Sequence, residues 1–485
     1  MAQTDWAGAA AGRFDAQVLE AYIQQYQQQE QIPGISVCVT GPQGVLFEKG
    51  FGKRNDKGDP MTADTIQGIG SMSKSITAAC IALLVSQGKM SFDDPIVRYY
   101  PGFRIPGTPE NSILIRHLLN HTTGLPPIPV LEWSVYSNTV PDPWEEEDYR
   151  RFLGSGKVQS PVRRVEDIVD YIGQGQYEPL GQPGEYMSYS NECLAVLCGV
   201  IDQVAGMSFE EFSTKYLFEP LGMDHTVHTV EDMRRFPRYT SLYTLEGDIM
   251  RCSDNWMEAP PYRGCGFIKS TPGDMCKYYG MLANGGQYQG RQVMPACCVE
   301  WMVGKPFAET EKMEYCFAME KQVYGGQTLC FHGGAIKGVS AHGGFIKDQG
   351  FAVTVLTNRG GVQATPIWGA AMNLLLGQPV ERSTLFARPC GQPTPQPSLW
   401  CGAFYDNEEG DGSPDSLYVV ENQGGQLLLR HGGQTAPLRW CGANLFWMEP
   451  DRPLVDGKPV EFYIRQGKPW AVRIGVRMYQ VCTRP

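Results

Sequence analysis

Ser71 and Lys74 stand three residues apart in GIGSMSKSITAAC, residues 68 to 80. On a helix, side chains at that spacing share a face, so the lysine nitrogen can reach the serine hydroxyl. A serine hydroxyl is a poor nucleophile at neutral pH unless a neighbour takes its proton, and a lysine whose pKa is lowered by burial can do so. A helix start adds unpaired backbone N–H groups and the positive end of a dipole beside any negative charge that develops at Ser71. Gly68 and Gly70 let the chain turn tightly just before it. The spacing alone is common, and its plain alternative is an N-cap serine followed by a solvated lysine.

Two further strings add weight. In PGEYMSYSNECLAVLCGVI, Tyr189-Ser190-Asn191 precedes an apolar helical run. A phenol near a lysine can shuttle a proton, and an asparagine amide can hold both the lysine and a substrate carbonyl. The other string is His332-Gly333-Gly334, read as the end of a strand and followed by Ala335. Glycines there let a substrate lie against the strand, and the Ala335 N–H would be a second oxyanion donor opposite that of Ser71.

Taken with IQGIGSMSKSITA, IRHLLNHTTGLP, GQPGEYMSYSN, YLFEPLGMDHT, GFIKSTPGDMCKYYGMLANGG and FAVTVLTN, in this order from Ala16 to Leu376, these strings resemble the serine β-lactamase and penicillin-binding-protein superfamily. The likeness is to its class C-like branch, which includes esterases, D-aminopeptidases and acyltransferases. The resemblance implies Ser71 as nucleophile, Lys74 as its proton acceptor, Tyr189 as general base and later acid, and Asn191 as a contact to the substrate amide or ester. His-Gly-Gly occurs three times, at His332, His342 and His431, and only the first has the family's placement, with Gly338 soon after and VLTN one hairpin later. His342, inside the next strand, and His431, in a turn, are read as structural. Family enzymes acting on cell-wall peptides and β-lactams usually carry Lys-Thr-Gly at the first position. Its absence favours substrates without the carboxylate that this motif grips, or ones held by another cation.

Between Pro126 and Pro161 the segment is long for the family and rich in aromatics, which makes Trp133, Tyr136, Trp144 and Tyr149 candidates for a lid over the acyl pocket. An insertion packed on the surface or at a dimer contact is the even alternative. The acidic run Glu145 to Asp148 reads as a solvated face. His225 and His228 lack the glutamate partner of a zinc site.

The elements that must position these residues follow from periodicity. A helix is expected over about 16 to 30, a hairpin from GISVCVTG and GVLFEKGFG around GPQG, and a helix from Ser71 to Gln87 stopped by Gly88. A helical, loop-rich middle follows. After about residue 325 strands return as TLCFHGG, GVSAHGGFI and FAVTVLTN, with IK and KDQG turns, and 361 to 376 is helical. Strands flanking a helical centre predict an α+β fold, an antiparallel sheet with helices whose first and last strands are distant in sequence. CGQPTPQPS, 390 to 398, is a linker, and LYVVE, QLLLR, APLRW, NLFWM, PVEFYIR and AVRIG predict a C-terminal all-β barrel-like domain. The expected division is 1–385, 386–398 and 399–485. The last part is expected near the mouth of the site, restricting substrate size.

Composition sets the class of partner. The 485 residues are 42% hydrophobic and 19% charged, with a formal net charge of -11, a globular profile that argues against nucleic acid and anionic membrane. No secretory signal or roughly 18-residue apolar run is seen, so a cytoplasmic protein is expected. The 15 cysteines form no CxxC pair and read as free thiols. No cofactor or metal is implied. The expected activity is a serine peptidase, amidase or esterase on small-molecule or short-peptide substrates, with β-lactam hydrolysis as a side activity. The alternatives are an acyltransferase using the same acyl-enzyme and a binding or regulatory protein on the same fold. A homo-oligomer is compatible with all three.

Overall fold

The runs GISVCVTG and FAVTVLT carry no charge and are rich in Val, Ile and Thr, the composition of strands covered on both faces. In a computed structural model they pair as central neighbours: β1, Gly34–Gly41, lies antiparallel to β8, Phe351–Thr357, with Val37 opposite Val355. The structure describes residues 2–147, 149–150, 161–175, 177–304, 306–308, 313–383, 389–406, 417–449 and 457–482. The remaining strands of this sheet are β2 Gly44–Gly52, β3 Phe307–Ala308, β4 Met313–Tyr315, β5 Glu320–Tyr324, β6 Gln327–Ile336 and β7 Val339–Ile346, in the order β2-β1-β8-β7-β6-β5-β4-β3. Strands from distant sequence thus adjoin at β1 and β8, as expected. β3 to β5 were not foreseen, being two to five residues long and too short for alternation to register.

Helices cover both faces of the sheet. His342 on β7 packs on Trp368 of the helix Thr365–Leu376, whereas the adjacent Gly343 faces Tyr279 of the helix Pro272–Ala283. Successive strand residues point to opposite faces, so these two helices lie on opposite sides. The helix Ala16–Gln29 packs on Thr365–Leu376. The expected α+β architecture is borne out.

The chain forms two compact units. One comprises Met1–Phe92, Asn138–Asp142 and Leu194–Thr384, and the other Asp93–Ser137, Pro143–Cys193 and Leu385–Pro485. The anticipated 385/386 boundary falls on residues 384–388, outside the described ones.

In the second unit an eight-stranded antiparallel meander runs β9 Gly402–Tyr405, β10 Leu417–Gln423, β11 Gln426–His431, β12 Gln434–Gly442, β13 Leu445–Met448, β14 Lys458–Arg465, β15 Lys468–Ile474 and β16 Arg477–Gln480. Its ends meet through a bridge between Phe404 and Val481 and the Cys482 N–H donating to Ala403 O at 2.8 Å. The sheet is therefore a nearly closed barrel, which removes the exposed edges of an open sheet. The two strands that the sequence reading left out, β9 and β16, are the ones that meet at this seam. Phe404, Phe446 and Phe462 crowd the interior with Trp400. Trp400 ends the 3-10 turn Pro397–Trp400, and its indole donates to Pro395 O at 3.0 Å. The Pro-rich linker thus delivers a plug to the barrel.

All fifteen cysteines are free thiols. Among the described residues no single helix is long and apolar enough to cross a membrane.

Candidate active site

Ser71 does not lie on the α-helix itself. It occupies the 3-10 turn Gly70–Met72, and the α-helix follows as Ser73–Ser86. The entrance is held from both sides: Gln67–Gly68 pairs with Lys269–Ser270, and the Ile69 N–H donates to Ile268 O at 3.1 Å. The Ser73 hydroxyl, donating to Gly70 O at 2.7 Å, ties the turn to the first helical residue. Every residue from Ser73 to Leu84 is buried, so this is a core helix, which fixes its first turn rigidly. Gln87 caps it and Gly88 follows at φ +70°, as the sequence anticipated.

Lys74 is fully buried. Its Nζ donates to Ser71 Oγ at 3.0 Å and to the Cys265 carbonyl at 2.8 Å. The carbonyl thus holds the nitrogen beside the Ser71 hydroxyl. Sequence reasoning could not see this partner, because a backbone oxygen leaves no residue signature.

The glycines at the turn and on β6 are required by close approach. A Cβ on Gly70, whose φ is +53°, would lie 2.7 Å from Ala335 N and 2.8 Å from Gly334 C. A Cβ on Gly334 would lie 2.1 Å from Ile69 O and 3.1 Å from Ser71 N. Two backbones thus approach closely here, with Ser71 N and Ala335 N among the atoms at the contact. His332-Gly333-Gly334 lies within β6, not at its end: the strand runs on to Ile336, and the turn is Lys337-Gly338, one residue later than expected.

His332 is buried and its Nε2 shares a 3.0 Å hydrogen bond with the Tyr315 hydroxyl. Burial, reinforced by the nearby charge of Lys74, lowers its pKa to about 4, so the ring is neutral at pH 7. Where cell-wall enzymes of the resembling family carry a cation, this chain presents a neutral imidazole. A second buried lysine, Lys269, donates to His228 O at 3.2 Å, and burial draws its pKa down to about 8.

Tyr189 and Asn191 belong to the other unit, and both are buried. Asn191 opens the helix Asn191–Ala205. His121, which sequence reasoning passed over, organises the segment before it. Its carbonyl accepts from the Ser188 N–H at 2.9 Å, its Nδ1 accepts from the Ser190 N–H at 3.1 Å, and its ring lies 4.4 Å from that of Tyr189. The positive φ of His121, 58°, makes this double grip possible and would have been legible only as part of a turn.

The four lid candidates also belong to this unit. Trp133 is buried against Tyr171 at 4.6 Å, and Tyr149 is buried with Tyr136 edge-on at 4.2 Å. Trp144 is half-buried. Residues 151–160 of the long segment, and Asp148 of the acidic run, lie outside the described residues.

With this geometry in view, the Beta-lactamase family matches residues 19–376. The chain belongs to that family. It is 29% identical over 184 residues to a penicillin-binding protein of Bacillus subtilis, covering 38% of this chain and 35% of that one. To a beta-lactamase of Pseudomonas fluorescens it is 26% identical over 263 residues, covering 54% of this chain and 63% of the other. The matched stretch thus spans less than two-thirds of either relative. Among solved structures, the octameric penicillin-binding protein homologue from Pyrococcus abyssi superposes with a TM-score of 0.64 at 24% identity, covering 96% of this chain and 99% of that one, a likeness of fold.

Proposed function

We propose that the chain is a serine hydrolase that forms an acyl-enzyme on Ser71 with small-molecule or short-peptide esters and amides. The observation that carries this reading is the fully buried Lys74 amine held 3.0 Å from the Ser71 hydroxyl, beside the close backbone approach that Gly70 and Gly334 permit. Ser71 Oγ attacks the substrate carbonyl carbon while its proton passes to the Lys74–Tyr189 pair, and the carbonyl oxygen takes its negative charge under the Ser71 and Ala335 N–H groups. Collapse breaks the bond to the leaving group, which receives the proton from Tyr189. Water then repeats the sequence on the acyl-enzyme and frees the acid. Asn191 is assigned to the substrate amide or ester. Trp133, Tyr136, Trp144 and Tyr149 are assigned to a cover, with Tyr136 and Trp144 the less deeply packed of the four.

The neutral His332 favours acyl groups without the carboxylate that cell-wall enzymes grip, so β-lactams would be slow substrates. Intact mass after incubation with a fluorophosphonate and with a β-lactam, beside the Ser71→Ala variant, tests the reading. The expected result is one adduct on the wild type and none on the variant. Equal masses with every probe would move the protein to the binding or regulatory class. Adding alcohol or amine acceptors to a turned-over ester separates hydrolase from acyltransferase, for which free acid as sole product is the contrary result.

A further inference from the structure

The barrel is expendable on the reading above, since none of its residues has a role there. Its last hairpin nevertheless meets the segment that bears Tyr189. The Tyr189 N–H donates to Val476 O at 2.9 Å, and the Met478 N–H donates to Ser188 Oγ at 3.2 Å. Val476 lies in the turn between β15 and β16 and Met478 on β16, so Tyr189 and the residue just before it are held by one barrel hairpin. At the start of β16, Arg477 sets its guanidinium carbon 5.1 Å from the centre of the Tyr189 ring.

We propose that this hairpin is part of the acyl-transfer apparatus and that Arg477 is a positioning residue for Tyr189, an inference that rests on Tyr189 as the proton carrier. Three observations separate this from mere docking. Anchorage is already supplied by apolar side chains of the same hairpin, in the buried cluster of Leu180, Ala471 and Met478 with Tyr186, Tyr463 and Trp470 around it. The neighbouring arginines have other partners: Arg473 pairs with Glu461 at 2.6 Å and meets Met187 Sδ at 4.0 Å, and Arg465 stacks on Trp470 at 3.8 Å. Arg477 alone of the three is directed at a residue of the proposed chemistry.

A cation over an aromatic face is held by the ring quadrupole, which fixes the ring plane as well as its distance. With His121 at 4.4 Å also against the ring, the phenol has its backbone, one ring neighbour and one cation all specified. A proton carrier misplaced by even an ångström loses rate rather than binding, so the signature of Arg477 is in kcat.

The test uses the full-length protein and a p-nitrophenyl ester, with Ser71 labelling by a fluorophosphonate as a second readout. Arg477→Gln should lower kcat and the labelling rate about tenfold with KM within about twofold, and Arg477→Lys should recover about a third or more of the rate. In a Tyr189→Phe background, Arg477→Gln should change the remaining rate by less than about twofold, because the residue it acts through is already disabled. Labelling of Arg477→Gln at the wild-type rate, a loss in KM alone, or an undiminished effect in the Tyr189→Phe background would each overturn the positioning role while leaving the serine hydrolase intact. A wild type that no probe labels overturns the hydrolase itself, and the hairpin proposal with it. Thermal melts of each variant guard against misfolding. A double variant that loses rate only as it loses structure counts against the proposal.

Discussion

The tripeptide His-Gly-Gly occurs on two neighbouring strands and performs different work on each. On β6, Gly334 is glycine because the Ile69–Ser71 backbone passes where a Cβ would be, and His332 is directed to Tyr315 near Lys74. On β7, which pairs with β6 so that Gly333 faces His342, the same letters serve packing. Gly344 is glycine because Cys330 O and Phe331 Cβ lie 2.4 and 2.5 Å from its would-be Cβ, and His342 sits against Phe331 and Trp368 with Thr365 at 3.1 Å. The third copy, in the barrel, is a hairpin: His431 ends β11, not the turn itself, and Gly432 and Gly433 form the turn with φ of 52° and 74°. A motif's letters state what backbone freedom is available. Its neighbours decide whether that freedom admits a substrate, a core side chain or a turn.

Gly334→Ala offers the harshest break of this comparison. The added methyl meets Ile69 O at 2.1 Å and Ser71 N at 3.1 Å, both backbone atoms, so the strand and the nucleophile turn must part. Losing one oxyanion donor's alignment typically costs a factor of about 10² to 10³ in kcat. Steady-state kinetics on a p-nitrophenyl ester should show that fall in the kcat of the folded fraction, alongside a lowered melting temperature. A variant within tenfold of wild type would mean that the Ser71 and Ala335 N–H groups do not act together.

Acid titration compares the two histidines directly. Burial lowers the pKa of His332 to about 4 and that of His342 to about 3, with the charge of Lys74 adding to the first and His332 itself to the second. The unfolded rings protonate near 6.5, so the unfolded chain takes up protons first as the medium is acidified. The stability this represents is whole above about pH 6.5 and is lost as pH falls through 4 and then 3, on the order of 3 kcal/mol for His332 and about 5 kcal/mol for His342. Urea midpoints between pH 7 and 4.5 should therefore fall. Both His332→Gln and His342→Gln should flatten that slope, while only His332→Gln should alter the kinetics of acylation. Equal kinetic effects would erase the distinction between the strands.

Much of this was readable in the sequence, and the exceptions have a common cause. Ser71, Lys74, Tyr189 and the β6 glycines stand out because three strings, each common alone, occur together in one order along the chain. The flanking helix and the central strands have enough length for periodicity to register. Cys265 does not, since its contribution is a carbonyl, and neither does Arg477, one more basic residue in a short strand until the fold brings it to Tyr189. His121 lies within IRHLLNHTTGLP, but its grip on residues 188 and 190 depends on a backbone angle that no residue type announces. The seam strands β9 and β16 are four residues each, below the length at which alternation separates a strand from a loop.

Gly344→Ala sharpens the contrast with Gly334. Its methyl would press on Cys330 O, Phe331 Cβ and Phe331 Cα at 2.4 to 2.7 Å, an overpacking of the sheet that costs about 1–3 kcal/mol. The expected result is a lower denaturation midpoint with kcat of the folded fraction within about fivefold of wild type. A loss of activity as deep as that of Gly334→Ala would show that strain at β7 passes to the site across the pair.

Gly433→Ala gives the smallest effect and isolates the copy that only turns. Nothing lies within 4 Å of its would-be Cβ, and φ is +74°, so the methyl meets no neighbour and the whole cost is conformational. A left-handed residue with a side chain costs about 1 kcal/mol relative to glycine, and this two-residue hairpin, with positive φ at both Gly432 and Gly433, is of the type that needs it at both central positions. Gly433→Asn should recover part of that loss, since asparagine tolerates the left-handed region, and neither variant should change ester turnover. A kinetic defect in both would require that the β11–β12 turn reach the reacting groups, and the barrel would then carry two functional hairpins instead of the one at Arg477.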